Sequence, residues 1–335
     1  MEKVTIKDIA KVANVSYATV SRALSGSPEI GEATRERILK ICDEMKYIPD
    51  SVARSMVKRR TNILGVVTAS INNPFMSELI ERVEISAREH GYSLMVCNSS
   101  YDLQLEKRQY SLLLGRRVDG IIVIPAGRDT AENLSSYPSS IPVVYVSENL
   151  QDGEQSYVAI DNDCGARMGV EYLHSLGHKR ILYLGRRSGS LTHKLRADGV
   201  ISACKRCDME VNFKDNLSFG KTSSEVGYVL AKEYFENPSD ETAIFCATDA
   251  LAIGAMRAAD EKGIRIPEDI SVLGFDNISF SGLPRIGLST VEQPKADMAA
   301  AAVEILLERI EGDVSEPGCK IVTPRLVERT SCRKI

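Results

Sequence analysis

Tyr17, Ala18, Thr19, Ser21 and Arg22 fall within one ten-residue stretch, VSYATVSRAL, at positions 15 to 24. The stretch has no glycine to cradle a phosphate and no carboxylate or histidine to move a proton. It offers a guanidinium, a phenol and hydroxyls on one short helix. Arg22 can bridge guanine O6 and N7, while Tyr17, Ala18 and Thr19 can meet thymine methyls, base edges or phosphates in a major groove.

Other residue types with chemical potential are poorly spaced for it. Gly220-Lys221-Thr222 looks like the end of a phosphate loop, but Asp215 stands where the first glycine belongs, and no GxGxxG follows any apolar strand. His174 and His178 are separated by Gly177, with no acid placed to help, and read as a helix end. Cys204 and Cys207 form a lone CxxC without a second pair or a histidine at metal spacing. The eight cysteines are scattered through mostly apolar segments, as reduced thiols packed like small hydrophobes are. No catalytic residue, metal site or cofactor is expected.

The elements around the opening stretch suit groove reading. Thr5 can cap a first helix with Ile6, Ile9, Ala10 and Ala13 on one face. Asn14 and Val15 break it, Ser16 caps the second helix, Tyr17 to Leu24, and Ser25-Gly26-Ser27-Pro28 makes a turn. Two short helices joined this way match a helix-turn-helix, with Ala10 allowing a close crossing and Val15 and Val20 pinning the core. A third helix is expected from about Glu32 to Lys46, stopped by Pro49, with Ile38, Leu39, Ile41, Cys42 and Met45 inward. Ser51 to Lys58 can form one more short helix before Lys58-Arg59-Arg60.

Charge separates this region from the rest. Residues 1 to 60 hold 12 Lys and Arg against 8 Asp and Glu, leaving 30 against 38 for the remainder of a chain whose net charge is −4. A basic head on an acidic body points to a polyanion for the head alone. The simpler alternative is a three-helix bundle with Arg22 in solvent; charge sign, spacing and helix order together favour DNA.

After Thr61 the pattern changes. The apolar runs ILGVVTA (63–69), SLMVCN (93–98), GIIVIPA (120–126), IPVVYVS (141–147), RILYLG (180–185), AIFCATD (243–249) and ISVLGFD (270–276) alternate with helical segments. Strands this uniformly apolar, separated by helices, predict parallel sheets covered on both faces in one or two doubly wound units. A long helix from Lys295 to Ile310 precedes IVTPRLVERTS, an edge-strand pattern.

The sequence resembles the lactose-repressor/purine-repressor (LacI-type) family of bacterial transcription regulators along its full length. The resemblance rests on VTIKDIAKVANVSYATVSRAL, TRERI, YIPDSVARSM, RTNILGVV, INNPF (71–75), RVDGIIV (117–123), IDN (160–162), GHKRI (177–181), TDALAIGAM (248–256), AADEKGIRIPEDISVLGFDN (258–277) and PRLVERTS (324–331). It implies an α/β chain with a helix-turn-helix head at 1–49 and a hinge at 50–60. The implied body, 61–335, has two Rossmann-like, periplasmic-binding-protein-like lobes joined by three crossing strands: roughly 61–161 with 292–322, and 162–291 with 323–335. It also implies a homodimer on a palindromic operator, with a small effector between the lobes. The implied DNA-facing set is Thr5, Ser16, Tyr17, Ala18, Thr19, Ser21 and Arg22, with Ala53, Arg54 and Met56 in the hinge. Met56 stands where the family pattern has a leucine wedge for the minor groove.

Effector candidates come from loops after the strands, where open α/β sheets bind ligands. Asn73 and Phe75 follow the first body strand, and an exposed Phe75 can stack on a ring. Arg196, Asp249 and Asp276 can hold hydroxyls bidentately. Alignment with the family pattern adds Ser147, Glu148, Asp161, Ser190, Thr192 and Thr222. Asp249 can equally cap the helix from Ala250, Asp161 and Arg196 can pair across the lobes, and Arg186 and Arg187 suit either an anion or solvent.

These readings converge on an effector-responsive, DNA-binding repressor of carbohydrate uptake or breakdown, answering to a sugar, sugar phosphate or nucleobase-like molecule. With no span of about 18 apolar residues and no signal peptide, a cytoplasmic protein without a membrane partner is expected. The end at SCRKI, without leucine heptads, predicts a dimer rather than a tetramer. The rivals are a solute-binding protein without a DNA role and a Rossmann-type oxidoreductase.

Overall fold

The computed structural model describes residues 4–47, 60–125, 141–147, 155–185, 191–215, 223–312 and 316–335. The hinge residues Ala53, Arg54 and Met56, and Glu148, Arg186, Arg187, Ser190 and Thr222 in the body, lie outside the described residues. The chain divides into two units, one ending at Thr61 and one running from Asn62 to Ile335.

The first unit holds α1 (Ile6–Val12), α2 (Tyr17–Leu24) and α3 (Glu32–Glu44). At the start of α1, the Asp8 carboxylate accepts from the Thr5 N–H at 2.8 Å and the Thr5 hydroxyl at 2.6 Å. Ser16 opens α2 by accepting from the Thr19 N–H at 3.1 Å. Both caps satisfy donors that the first helical turn leaves orphaned. Ile9, Ala10, Val20, Ile38 and Cys42 are buried between the three helices. The third helix is shorter than its sequence suggests: Lys46 turns left-handed at φ 50° and ends it before Pro49 is reached. Leu39 also departs from expectation. It is exposed, because the stripe through Ile38 and Cys42 faces inward and Leu39 lies beside it.

The body carries two six-stranded sheets. Its strands are β1 (Ile63–Thr68), β2 (Ser93–Asn98), β3 (Gly120–Ile124), β4 (Val143–Val146), β5 (Ser156–Ile160), β6 (Arg180–Leu184), β7 (Glu210–Lys214), β8 (Ala243–Cys246), β9 (Ser271–Asp276), β10 (Ser289–Glu292), β11 (Cys319–Val322) and β12 (Arg325–Val327). The first sheet runs β11-β5-β4-β3-β1-β2, all parallel. The second runs β12-β10-β9-β8-β6-β7, parallel except for its antiparallel edge β12. Each sheet defines a lobe of the doubly wound α/β class that the alternating apolar runs predict.

Helices cover the sheets: α4 (Pro74–Glu89), α5 (Leu103–Gly115) and α10 (Lys295–Glu311) belong to lobe 1. In lobe 2 lie α6 (Asn162–Ser175), α7 (Leu191–Arg206), α8 (Ser224–Glu236) and α9 (Asp249–Glu261). The chain crosses between lobes three times: from β5 to α6, from β10 to α10, and from β11 to β12. IVTPRLVERTS therefore makes two edge strands on different sheets. Thr323 and Pro324 form the break, since proline has no N–H for a ladder.

Two packing details position the cleft. Along α4, Phe75, Leu79, Val83 and Ala87 recur every fourth residue and are buried. Helices α8 and α9 cross closely, because a Cβ at Gly227 would meet the Leu251 backbone and one at Gly254 the Ser224 carbonyl. Their N-terminal ends consequently reach the same opening.

Candidate functional site

One face of α2 is held by buried Val20 and Ala23, which leaves the other for a partner. Tyr17 is 65% exposed, Ser21 and Arg22 are exposed, and Ala18 and Thr19 are half-buried beside them. The Arg22 guanidinium meets the Glu29 carboxylate at 3.0 Å across the following turn. That turn is tied down by the Arg35 guanidinium, which donates to the Ser27 carbonyl at 2.6 Å. The hydroxyls of Thr5, Ser16 and Thr19 are engaged in the capping bonds, Ser16 and Thr19 with each other at 2.9 Å. The arrangement is a short capped helix that presents one exposed phenol and one exposed guanidinium, the latter paired with Glu29.

In the body, a cavity of about 600 Å³ opens where the carboxyl ends of the two sheets face each other. Lobe 1 contributes Ser70, Asn72, Asn73, Asn98, Ser100 and Tyr101; lobe 2 contributes Ser223, Ala250, Ile278 and Phe280 among others. The Asn73 side chain also caps α4, accepting from the N–H groups of Phe75 and Met76. Tyr101, at φ 62°, has its phenol pKa raised by burial, against hydrogen bonds from Asn73 and Ser70. Hydroxyls, amides and apolar side chains lining one cavity can hold a small polar molecule with an apolar or ring face. Thr192 on α7 donates to the Ser147 carbonyl at 2.6 Å and so bridges lobe 2 to the end of β4 in lobe 1.

A buried charge cluster lies at the carboxyl end of β9. Arg196 is 3% exposed; it donates to the Asn162 side chain at 2.8 Å and the Ala247 carbonyl at 2.7 Å, and stacks 3.8 Å from the Phe275 ring centre. It pairs with an Asp276 carboxylate oxygen at 3.6 Å. Asp276 also accepts from the Gln293 side chain at 2.6 Å. Burial pushes the Asp276 carboxyl up to about 7, Arg196 opposes the rise, and neighbouring Asp249 adds to it.

Several sequence expectations change here. Phe75 is not an exposed stacking ring but a core residue, because it stands first in the α4 apolar stripe. Asp249 does not face the cleft: it is fully buried and accepts from the Ile278 N–H at 2.9 Å, the Ser281 hydroxyl at 2.6 Å and the Thr290 hydroxyl at 2.5 Å. Nor is it the cap of α9; Thr248 is, accepting from the Leu251 N–H. Burial raises the Asp249 pKa, and the Ser281 and Thr290 hydroxyls oppose this. Asp161 does not pair with Arg196. It caps α6 by accepting from the Cys164 N–H at 2.9 Å, and Arg196 reaches Asn162 instead. Arg196 and Asp276 come together, but on each other rather than on the cavity surface. Tyr101, Ser70, Asn98, Ser100 and Ser223 were not singled out by sequence. The loop after β2, SSY, carried the signal, since it follows an apolar strand as Asn73 does.

Residues 5–50 match the family described as bacterial regulatory proteins, lacI family, and residues 170–332 match the periplasmic binding protein-like domain. The chain is 31% identical over 332 residues to the HTH-type transcriptional repressor CytR of Escherichia coli (strain K12), covering 99% of this chain and 97% of that protein. It is 33% identical over 331 residues to the HTH-type transcriptional repressor PurR of Pasteurella multocida (strain Pm70), covering 98% of each. Among solved structures, a Lac repressor dimer bound to operator and the anti-inducer ONPF superposes with a TM-score of 0.86 at 27% identity, covering 99% of this chain and 100% of that one.

Proposed function

The chain belongs to the LacI family of bacterial regulatory proteins, and on that premise we propose that it is a homodimeric, cytoplasmic repressor that reads a palindromic operator and answers to a small molecule held between its lobes. It is not an enzyme on this reading. The observation that carries it is the exposed face of α2, Tyr17 to Arg22, on a head that is basic while the body is acidic. Arg22 reads a base, Tyr17, Ala18, Thr19 and Ser21 meet base edges or phosphates, and Thr5 and Ser16 hold the caps at the DNA surface. The hinge, 50–60, brings Ala53, Arg54 and Met56 to the minor groove.

The effector lies in the cavity lined by Asn73, Tyr101 and Ser223, above Arg196 and Asp276, and is a sugar, sugar phosphate or nucleobase-like molecule. Thr192 and Ser147 bridge the lobes and Asp161 caps the helix after the lobe crossing, and Glu148, Ser190 and Thr222 add contacts to the effector. The likeness to an operator-bound dimer supports taking the present lobe arrangement as the DNA-competent one.

The test is binding to a duplex enriched from a random pool by the full chain itself. Arg22→Ala should cost about 1–3 kcal/mol on that duplex and little on unrelated DNA. Equal losses on both would remove Arg22 from base reading.

A further inference from the structure

Around the turn that leaves β9, lobe 1 places two side chains whose hydrogen bonds to lobe 2 all go to backbone atoms. Glu78, on α4, accepts from the Ser279 N–H at 2.8 Å. Lys295, the first residue of α10, donates to the carbonyls of Asp276 at 3.2 Å and Asn277 at 2.7 Å. The two side chains meet each other at 3.3 Å and are largely covered, Lys295 at 12% and Glu78 at 21% exposure. Lys295 also sits 5.9 Å from the centre of the Phe75 ring.

The turn they hold is unusual. Asp276 and Asn277 both have positive φ, 129° and 53°, outside the regions that L-residues prefer. Lobe 2 secures the turn from its own side through Asp249 on the Ile278 N–H and the Arg329 guanidinium on the Asn277 side chain at 2.7 Å. A backbone of this kind persists only where its surroundings fix it.

We propose that Glu78 and Lys295 form an interlobe latch that reads the conformation of the 276–279 turn and thereby positions Asp276 for the effector. Because the hydrogen-bonding atoms that lobe 2 offers here are two carbonyls and one N–H, the grip depends on where those atoms point, while the Lys295 charge also favours the nearby carboxylates of Asp276 and Asp249. An effector that draws Asp276 away from Arg196 rotates the same peptide units and releases Lys295. Lobe 1 then loses its hold on lobe 2 at the end of the crossing from β10. A simple ion pair between Glu78 and Lys295 would not couple the turn in this way. The link from latch to DNA rests on the functional reading above; the latch itself does not.

Hydrogen exchange on the full-length protein, without ligand, tests it at the Ser279 amide, which is otherwise exposed. Glu78→Ala should speed exchange there by about tenfold, the effect of losing one charge-assisted bond. Lys295→Met should speed it by a smaller factor, and both should leave residues 243–246 in the lobe-2 core protected as in the parent. The charge swap Glu78→Lys with Lys295→Glu should not restore protection, because a carboxylate at 295 would face two carbonyl oxygens. Unchanged exchange in Glu78→Ala, or restoration by the swap, overturns the latch. If Glu78→Ala exposes 243–246 as well, Lys295→Met decides alone, and an unchanged Ser279 amide overturns it. The selected duplex should bind both latch variants at least fivefold more weakly than the parent. A parent that binds no DNA refutes the functional reading and leaves the exchange result standing.

Discussion

Replacing Asp249 by alanine should unfold lobe 2 at markedly lower denaturant without any need for a ligand. Its carboxylate has no exposed atoms and receives one backbone N–H and two hydroxyls, all within 2.9 Å. Alanine strands those three donors in the interior. A buried donor left unpaired costs about 1–3 kcal/mol, and the two hydroxyls can partly turn to other acceptors, so the expected loss is about 3–5 kcal/mol. Asp249→Asn is the control. One amide oxygen can keep the Ile278 and Ser281 donors, and the Thr290 hydroxyl can reverse to accept from the new amide. That variant should lie within about 1.5 kcal/mol of the parent, because it also removes a buried charge. Urea unfolding at 25 °C followed by far-ultraviolet circular dichroism measures both. An Asp249→Ala protein within about 1 kcal/mol of the parent would refute the anchoring role and return Asp249 to the list of groups free to meet a ligand.

Two further outcomes follow from charges on the structure. Glu29→Gln should strengthen binding to the selected duplex by about two- to fivefold, since an exposed pair is worth at most about 1 kcal/mol and its loss frees Arg22; weaker binding in an anisotropy titration would show that Glu29 orients Arg22 instead of occupying it. Burial raises the Asp276 pKa from an ordinary 3.8 to about 7, so the folded state holds that proton more tightly than the unfolded state. Its stabilising contribution is full below about pH 4 and is lost as pH rises toward 7. Asp276→Asn should therefore gain stability relative to the parent across that window, and a difference that stays constant with pH would contradict the assignment.

How far the sequence discloses this architecture depends on how local each signal is. Caps at Thr5 and Ser16 and the seven apolar runs are local, and the corresponding elements are found. β5, β7 and β10 escape notice for different reasons. SYVAI runs on from a polar stretch, and EVNFK forms a half-exposed edge. STVE buries Ser289 and Thr290, whose partners, Ser331 and Asp249, are distant in sequence. Phe75 was legible as core, since Phe75, Leu79, Val83 and Ala87 already form a stripe; its place after a strand suggested a ligand instead. Arg196 and Asp276 stand out as charges within an early helix turn and at a strand end, but their closure on each other depends on Asn162, Ala247 and Gln293 arriving from three other places in the chain, with Phe275 beside Asp276. Such convergence has no local signature.

The most direct measurement is to incubate the full-length chain with a random duplex pool at physiological salt and sequence what it retains. An inverted repeat should be enriched, with each half-site dependent on Arg22. Retention without any enriched sequence, or enrichment of a single unrepeated site that survives Arg22→Ala, would contradict a dimeric operator reader built on α2.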